Sequence, residues 1–199
     1  MVRITALENK LVSAFVFAIF MLGLLVWPVR ASVIMRFELE QLVARSDVIV
    51  VATTLGWKSR WGARKRILTD VTLRVDESIK GKYQPSDVLV VTRLGGEIDG
   101  LGMRVAGEAA FYKDKKALVF LREIPASGEL RVVGMSQGVY HFNEAQGQIV
   151  VAPDESDSAL VERDSDGKLQ SALSTRTEPS PANDVLEEVR RLVLKSHDK

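Results

Sequence analysis

From Asp47 onward the chain alternates apolar and polar positions with period two for about a hundred residues, the spacing that sends successive side chains to opposite faces of a strand. The clearest case begins at Thr69. Thr69, Val71, Leu73 and Val75 fall on one face and Asp70, Thr72, Arg74 and Asp76 on the other, so one face is core and the other solvent. Residues 47–55 (DVIVVATTL) are nearly all apolar and read as a central strand. Lys80-Gly81 breaks the pattern, and residues 87–94 return as a third strand. Further strands are expected at 117–122, 130–133 and 139–143, with a weaker closing one at 148–152. Short strands at this spacing predict a mainly β domain over residues 32–152, built as a small barrel or sandwich.

Two helices flank that domain in the pattern. A short one is expected over residues 37–44. At the other end, Val185, Val189, Leu192 and Ser196 recur at helical spacing with Leu186 and Val193 alongside, and Arg190, Arg191 and Lys195 suit a helix C-terminus. Ser180 reads as the N-cap and Pro181 as the first helical position, giving an amphipathic helix over 182–197 that docks on the barrel. Between them, residues 153–181 are rich in Asp, Glu, Ser, Thr and Pro and poor in apolar side chains, the composition of an acidic, polar linker that lies over the surface or stays mobile.

The apolar run at residues 11–27 (LVSAFVFAIFMLGLLVW) breaks the alternation in a different way. Arg3 and Lys10 precede it, and Val29 and Ala31 supply small residues at the −3 and −1 positions of a cleavage site, which together describe a secretory signal over residues 1–31. The run exceeds the roughly 7 to 15 residues of a usual signal core and falls just short of the roughly 20 that span a bilayer, so an uncleaved anchor making membrane contact is the alternative. Either way the domain is expected to work outside the cytoplasm, in the periplasm or beyond. The chain has no cysteine, so it folds without disulfides and offers neither a thiol nucleophile nor a thiolate metal site. Removing residues 1–31 takes away Arg3, Lys10, Arg30 and Glu8, leaving 24 basic and 25 acidic side chains and a net charge of −1. Nothing global steers such a domain to nucleic acid; any attraction for a polyanion has to be local.

One local candidate exists. Trp57, Lys58, Arg60, Trp61, Arg64, Lys65 and Arg66 put five cations beside two aromatic rings in the connection between the first two strands, a combination that can pair with and stack on an anionic polymer. The same residues also describe a solvated hairpin tip. The glycines at 95, 96, 100, 102 and 107 do not form a nucleotide loop: no Gly-Lys-Ser/Thr follows, and Val105 occupies the last place of a G-x-G-x-x-G. They read as turns and bulges, or as a flap over a binding face. Glu162, Asp164 and Asp166 with Gly167 partly imitate a calcium loop, but Leu173 stands where a bidentate acid belongs, and an Asp-Gly turn explains the run as well. No nucleophile or acid/base motif assigns catalysis; His141 lies alone in a strand and His197 at the chain end. No cofactor is implied.

Several short motifs carry a resemblance. Residues 42–50 (LVARSDVIV), 69–75 (TDVTLRV) leading to Ile79-Lys80-Gly81, Gly95-Gly96, 117–121 (ALVFL) and 132–140 (VVGMSQGVY) resemble a family of exported bacterial β-rich proteins without an assigned activity, over residues 35–145. More distantly, the strand succession is similar to the OB-type barrel of netrin-like and metalloproteinase-inhibitor domains. That likeness implies a small OB-like barrel serving as an interaction module. Those inhibitors act through an N-terminal cysteine, absent here, so only the fold carries over. The expectation is an exported, non-enzymatic binding module whose partner is a protein or an anionic envelope polymer. A hydrolase with an unrecognised site, or an inhibitor of a co-exported protease, is the alternative.

Overall fold

The computed structural model describes residues 32–154, 158–163, 169–171 and 179–197. Strand β1 (Ser32–Met35) leads to helix α1 (Leu39–Arg45), and then the long strands β2 (Val48–Trp61) and β3 (Ile67–Lys80) form an extended hairpin. β4 (Val88–Leu94) follows, then a small arm made of β5 (Gly96–Ile98) and β6 (Leu101–Met103). β7 (Lys116–Glu123), β8 (Leu130–Val132), β9 (Val139–Ala145) and β10 (Gln148–Pro153) complete the main sheet. β11 (Ser158–Arg163), β12 (Leu169–Ser171), β13 (Ser180–Pro181) and helix α2 (Ala182–His197) end the described chain.

The pairings close a barrel. β2 pairs antiparallel with β3, β3 with β4, β7 with β8 and β7 with β2, and the ring is completed by a parallel contact between β4 and β8 at Val91 and Leu130. A five-stranded closed barrel in this order, with one parallel closure, is an OB-type barrel. β9, β10 and β13 extend the sheet from β7 on one side. β1, β11 and β12 form a separate three-stranded sheet, β1 parallel to β11.

Two cores follow from the alternation. Val50, Val71, Leu73, Val91, Val119, Leu121 and Val139 fill the barrel, while Ile49, Val51, Leu118, Phe120 and Tyr140 point the other way, against Leu42 and Val43 of α1 and Leu186, Val189 and Val193 of α2. Residues 48–52 of β2 and 117–121 of β7 are therefore buried on both faces, which is why those stretches are continuously apolar. Register shifts in β2 at Ile49/Val50, Val51/Ala52 and Thr54/Gly56 are bulges that coil the strand around the barrel. Lys80 Nζ donates to Val43 O at 3.1 Å, and Arg190 donates twice to Glu77 Oε1, at 2.6 and 3.2 Å, fixing both helices to the sheet.

Three expectations change. β2 runs to Trp61 rather than ending at residue 55, because residues 56–61 go on pairing with β3 after the pairing of β2 with β7 stops at Thr53. Ser180 and Pro181 do not cap α2; they pair with Val151 and Val150 at the edge of β10, where a residue lacking an N–H is tolerated. Parts of the 153–181 segment are ordered strands, β11 and β12. Glu162 lies in β11 opposite Gln170, while Asp164 and Asp166 of the calcium-like run lie outside the described residues, as does the apolar run at 11–27. No described helix is long and apolar enough to cross a membrane.

Candidate functional site

The overhanging end of the β2–β3 hairpin carries the basic and aromatic residues. Its two faces differ. Trp57, Ser59 and Trp61 share one face with Val71, Thr69 and Ile67 opposite; Lys58 and Arg60 take the other with Asp70 and Leu68. Trp57 is 53% and Trp61 43% exposed, both high for tryptophan.

The tip is a four-residue turn, Ala63 to Arg66, closed by the Arg66 N–H donating to Ala63 O at 3.4 Å. Arg64 and Lys65 at its centre both have positive φ, 57° and 55°. Two left-handed central residues are the mark of a type I′ hairpin turn, which Asn-Gly adopts without strain. Here two long cationic side chains occupy those positions, at a backbone cost of about 1–2 kcal/mol each. Arg64, Lys65 and Arg66 are all exposed.

Arg60 serves differently from the other cations of the set. Its Nε pairs with Asp70 Oδ2 at 2.6 Å and its Nη2 with Glu129 Oε1 at 2.8 Å; Arg131 Nη2 holds the other Glu129 oxygen at 2.9 Å, and Thr92 Oγ1 donates to Asp70 Oδ1 at 2.8 Å. This network ties the hairpin to the β7–β8 connection. Partial burial works to raise the Asp70 pKa, but the hydrogen bonds from Arg60 and Thr92 outweigh it and hold the carboxyl below its ordinary value. Glu129 is lowered by hydrogen bonds from Arg131 and Arg60. Because the folded values are depressed, the network's contribution is present above the ordinary carboxylate range near about pH 4 and is lost as pH falls through the lower folded values. Asp70→Asn is therefore expected to flatten the acid side of the stability profile, measured as Tm between pH 3 and 6, by about 1 kcal/mol or less.

The arm closes over the Trp57 face. Thr69 Oγ1 donates to Gly95 O at 2.6 Å and lies 3.0 Å from Ser59 Oγ; the Gly95 N–H donates to Ile67 O at 2.9 Å; Trp61 Nε1 donates to Asp99 Oδ2 at 3.3 Å. Between arm and hairpin lies an open groove of about 740 Å³, lined by Trp57, Lys58, Arg93, Glu97, Met103 and Arg104.

A second hollow, of about 390 Å³, also borders the arm and is lined by Arg93, Arg104, Glu108, Tyr112 and Asp154. Burial raises the Glu108 carboxyl, opposed by a Leu94 backbone hydrogen bond and by Arg93 and Arg131. Asp154 is raised by burial too, although its Oδ2 accepts the Ala110 N–H at 2.6 Å and His141 and Arg93 pull it down. His141, edge-on to Tyr112 at 5.1 Å, is lowered by burial, and its Nε2 is buried without a hydrogen-bond partner. Sequence reasoning missed this group. Its members come from β4, the 104–112 connection, β9 and the end of β10, with no shared motif; a carboxylate directly after a β10 strand was hidden in a segment that reads as linker. Among the described residues no cluster of three or more His, Asp or Glu side chains is arranged to hold a metal ion.

No family model matches the chain, and no curated protein matches it.

Proposed function

We propose that the chain is an exported, non-enzymatic binding module of the bacterial envelope, and that the hairpin tip with the neighbouring arm is the surface that takes its partner. The strained turn carries this reading. A hairpin built for stability alone would place Asn-Gly where Arg64 and Lys65 stand; holding two cations in left-handed backbone conformations, beside exposed Trp57 and Trp61, favours a role in contact rather than folding. An anionic envelope polymer suits the tip better than a protein partner does, because Arg64, Lys65 and Arg66 stand there in succession, all exposed and with no acidic residue among them.

The test is co-sedimentation with envelope fractions. Trp61→Ala, Arg64→Ala and Arg66→Ala in one variant should abolish recovery at moderate salt, and unchanged recovery would remove the hairpin from the reading. The double variant Arg64→Asn, Lys65→Gly separates binding from folding: it should raise stability by about 1 kcal/mol, or about 2–4 °C in Tm, while lowering recovery. A fall in Tm would show that the turn is not strained.

A hydrolase reading draws on Glu108 and Asp154 in one hollow, since paired carboxyls with burial-raised pKa suit acid/base work. It expects release of new reducing or acidic ends from the bound polymer, lost in Asp154→Asn. Binding without such release speaks for the module.

A further inference from the structure

The hairpin and the arm end together. Trp61 Nε1 donates to Asp99 Oδ2 at 3.3 Å; Asp99 and Gly100, both at positive φ, make the arm's turn, with Ile98 and Leu101 paired on either side of it. The joined ends therefore carry Trp61 and Leu101, 43% and 58% exposed, beside the exposed cations Arg64, Lys65 and Arg66. We propose that this end reaches its anionic partner at a lipid surface, Trp61 and Leu101 entering the headgroup layer of a bilayer while the three cations pair with its phosphates. The inference rests on the binding reading above and names the chemistry of the partner.

Three observations favour a lipid layer over a polymer free in solution. Arg64, Lys65 and Arg66 stand on an exposed hairpin turn and line neither of the two hollows, so a planar layer can meet all three while a linear chain finds no groove there to lie in. Leu101 belongs to neither buried core, and an aliphatic side chain gains nothing from phosphates or hydroxyls but does gain from the acyl boundary beneath headgroups. The Trp61 indole already has its acceptor in Asp99, so the ring can leave water without stranding its N–H. An apolar ring with a satisfied N–H is the form in which tryptophan settles at a membrane interface.

The charges agree in sign. Arg64, Lys65 and Arg66, with Lys58 behind them on β2, outnumber the two acids of the arm, Glu97 and Asp99, and all six are exposed. None of those four cations makes an ion pair among the described residues, so none has to be released before it meets a phosphate. Each cation brought close to an anionic layer adds about fivefold to affinity at low salt, and the gain fades with screening.

The experiment floats the protein, as recovered from the producing cell, with vesicles of phosphatidylcholine alone or mixed with phosphatidylglycerol. The anionic vesicles should hold it about tenfold or more tightly at low salt, with tryptophan emission shifted to shorter wavelength. Any contribution of residues 11–27 is common to every variant, so substitutions at the tip isolate its part. Arg64→Ala, Lys65→Ala and Arg66→Ala in one variant should remove about tenfold or more of the affinity for anionic vesicles. Leu101→Asn should weaken it about fivefold with Tm unchanged, and Leu101→Met should restore it, a difference that a purely electrostatic contact does not make. Equal binding to the two kinds of vesicle, or Leu101→Asn binding as tightly as the native chain, would overturn the inference. So would recovery with envelope fractions that survives detergent removal of their lipid; in that case loss of recovery in the hairpin variant would still uphold the broader binding reading.

Discussion

Phe120→Ala is expected to lower the unfolding free energy by about 3–5 kcal/mol, enough to leave the protein mostly unfolded under mild denaturant. Phe120 is fully buried on the outer face of β7. Its ring meets Tyr140 edge-on at 5.9 Å, and it belongs to the core shared with α1 and α2. The sheet on one side cannot move without breaking the barrel, because β7 is hydrogen-bonded to β2, β8 and β9. The helices are held by Lys80 and Arg190, so the void cannot collapse cheaply. Urea denaturation followed by circular dichroism measures it. A loss under about 1.5 kcal/mol would show that the helices re-pack freely and that this layer is not a fixed core.

The second large effect is local. Gly96 has φ of +132°, and a Cβ there would overlap Thr69 Oγ1 and lie 2.6 Å from Ser59 Oγ. Gly96→Val adds backbone strain of about 1–3 kcal/mol to overpacking of about 1–3 kcal/mol. The arm has two three-residue strands to set against that, together with the Thr69 to Gly95, Gly95 to Ile67 and Trp61 to Asp99 hydrogen bonds. It should therefore lift away while the barrel stays folded. Hydrogen exchange reads this directly at the Gly95 amide, which donates to Ile67 O, and tryptophan emission should shift to longer wavelength. Envelope recovery should fall with it. Persistent protection at Gly95 would mean that the arm tolerates the side chain.

The barrel was legible wherever burial forces alternation. Thr69, Val71, Leu73 and Val75 are all buried as the period-two pattern requires, and the six barrel and sheet strands expected after β2 appear within a residue or two of their places. The end of β2 was not legible, because GWKSRW opens on a glycine and is held to β3 by polar pairs, Ser59 with Thr69 and Arg60 with Asp70, rather than by an apolar alternation that could be read. Ser180-Pro181 imitates a helix start so well because its edge pairing with β10 is a long-range contact that no local pattern encodes. The basic tip could be seen in the sequence; its left-handed backbone could not, since Arg and Lys are the last residues that the turn would suggest. The Glu108, Tyr112 and Asp154 hollow depends on the 104–112 connection meeting the residue that follows β10, a long-range contact that no local pattern encodes.

The outer face of β2 and β7 waits for α2, which lies far downstream of both strands. A chain that emerges with its N-terminus first can close the barrel from its middle segments while Ile49, Leu118 and Phe120 still lack their last neighbours. Until α2 docks, that greasy patch stays open to solvent, so loss of α2 alone would strip the cover from a barrel whose strands are otherwise all present.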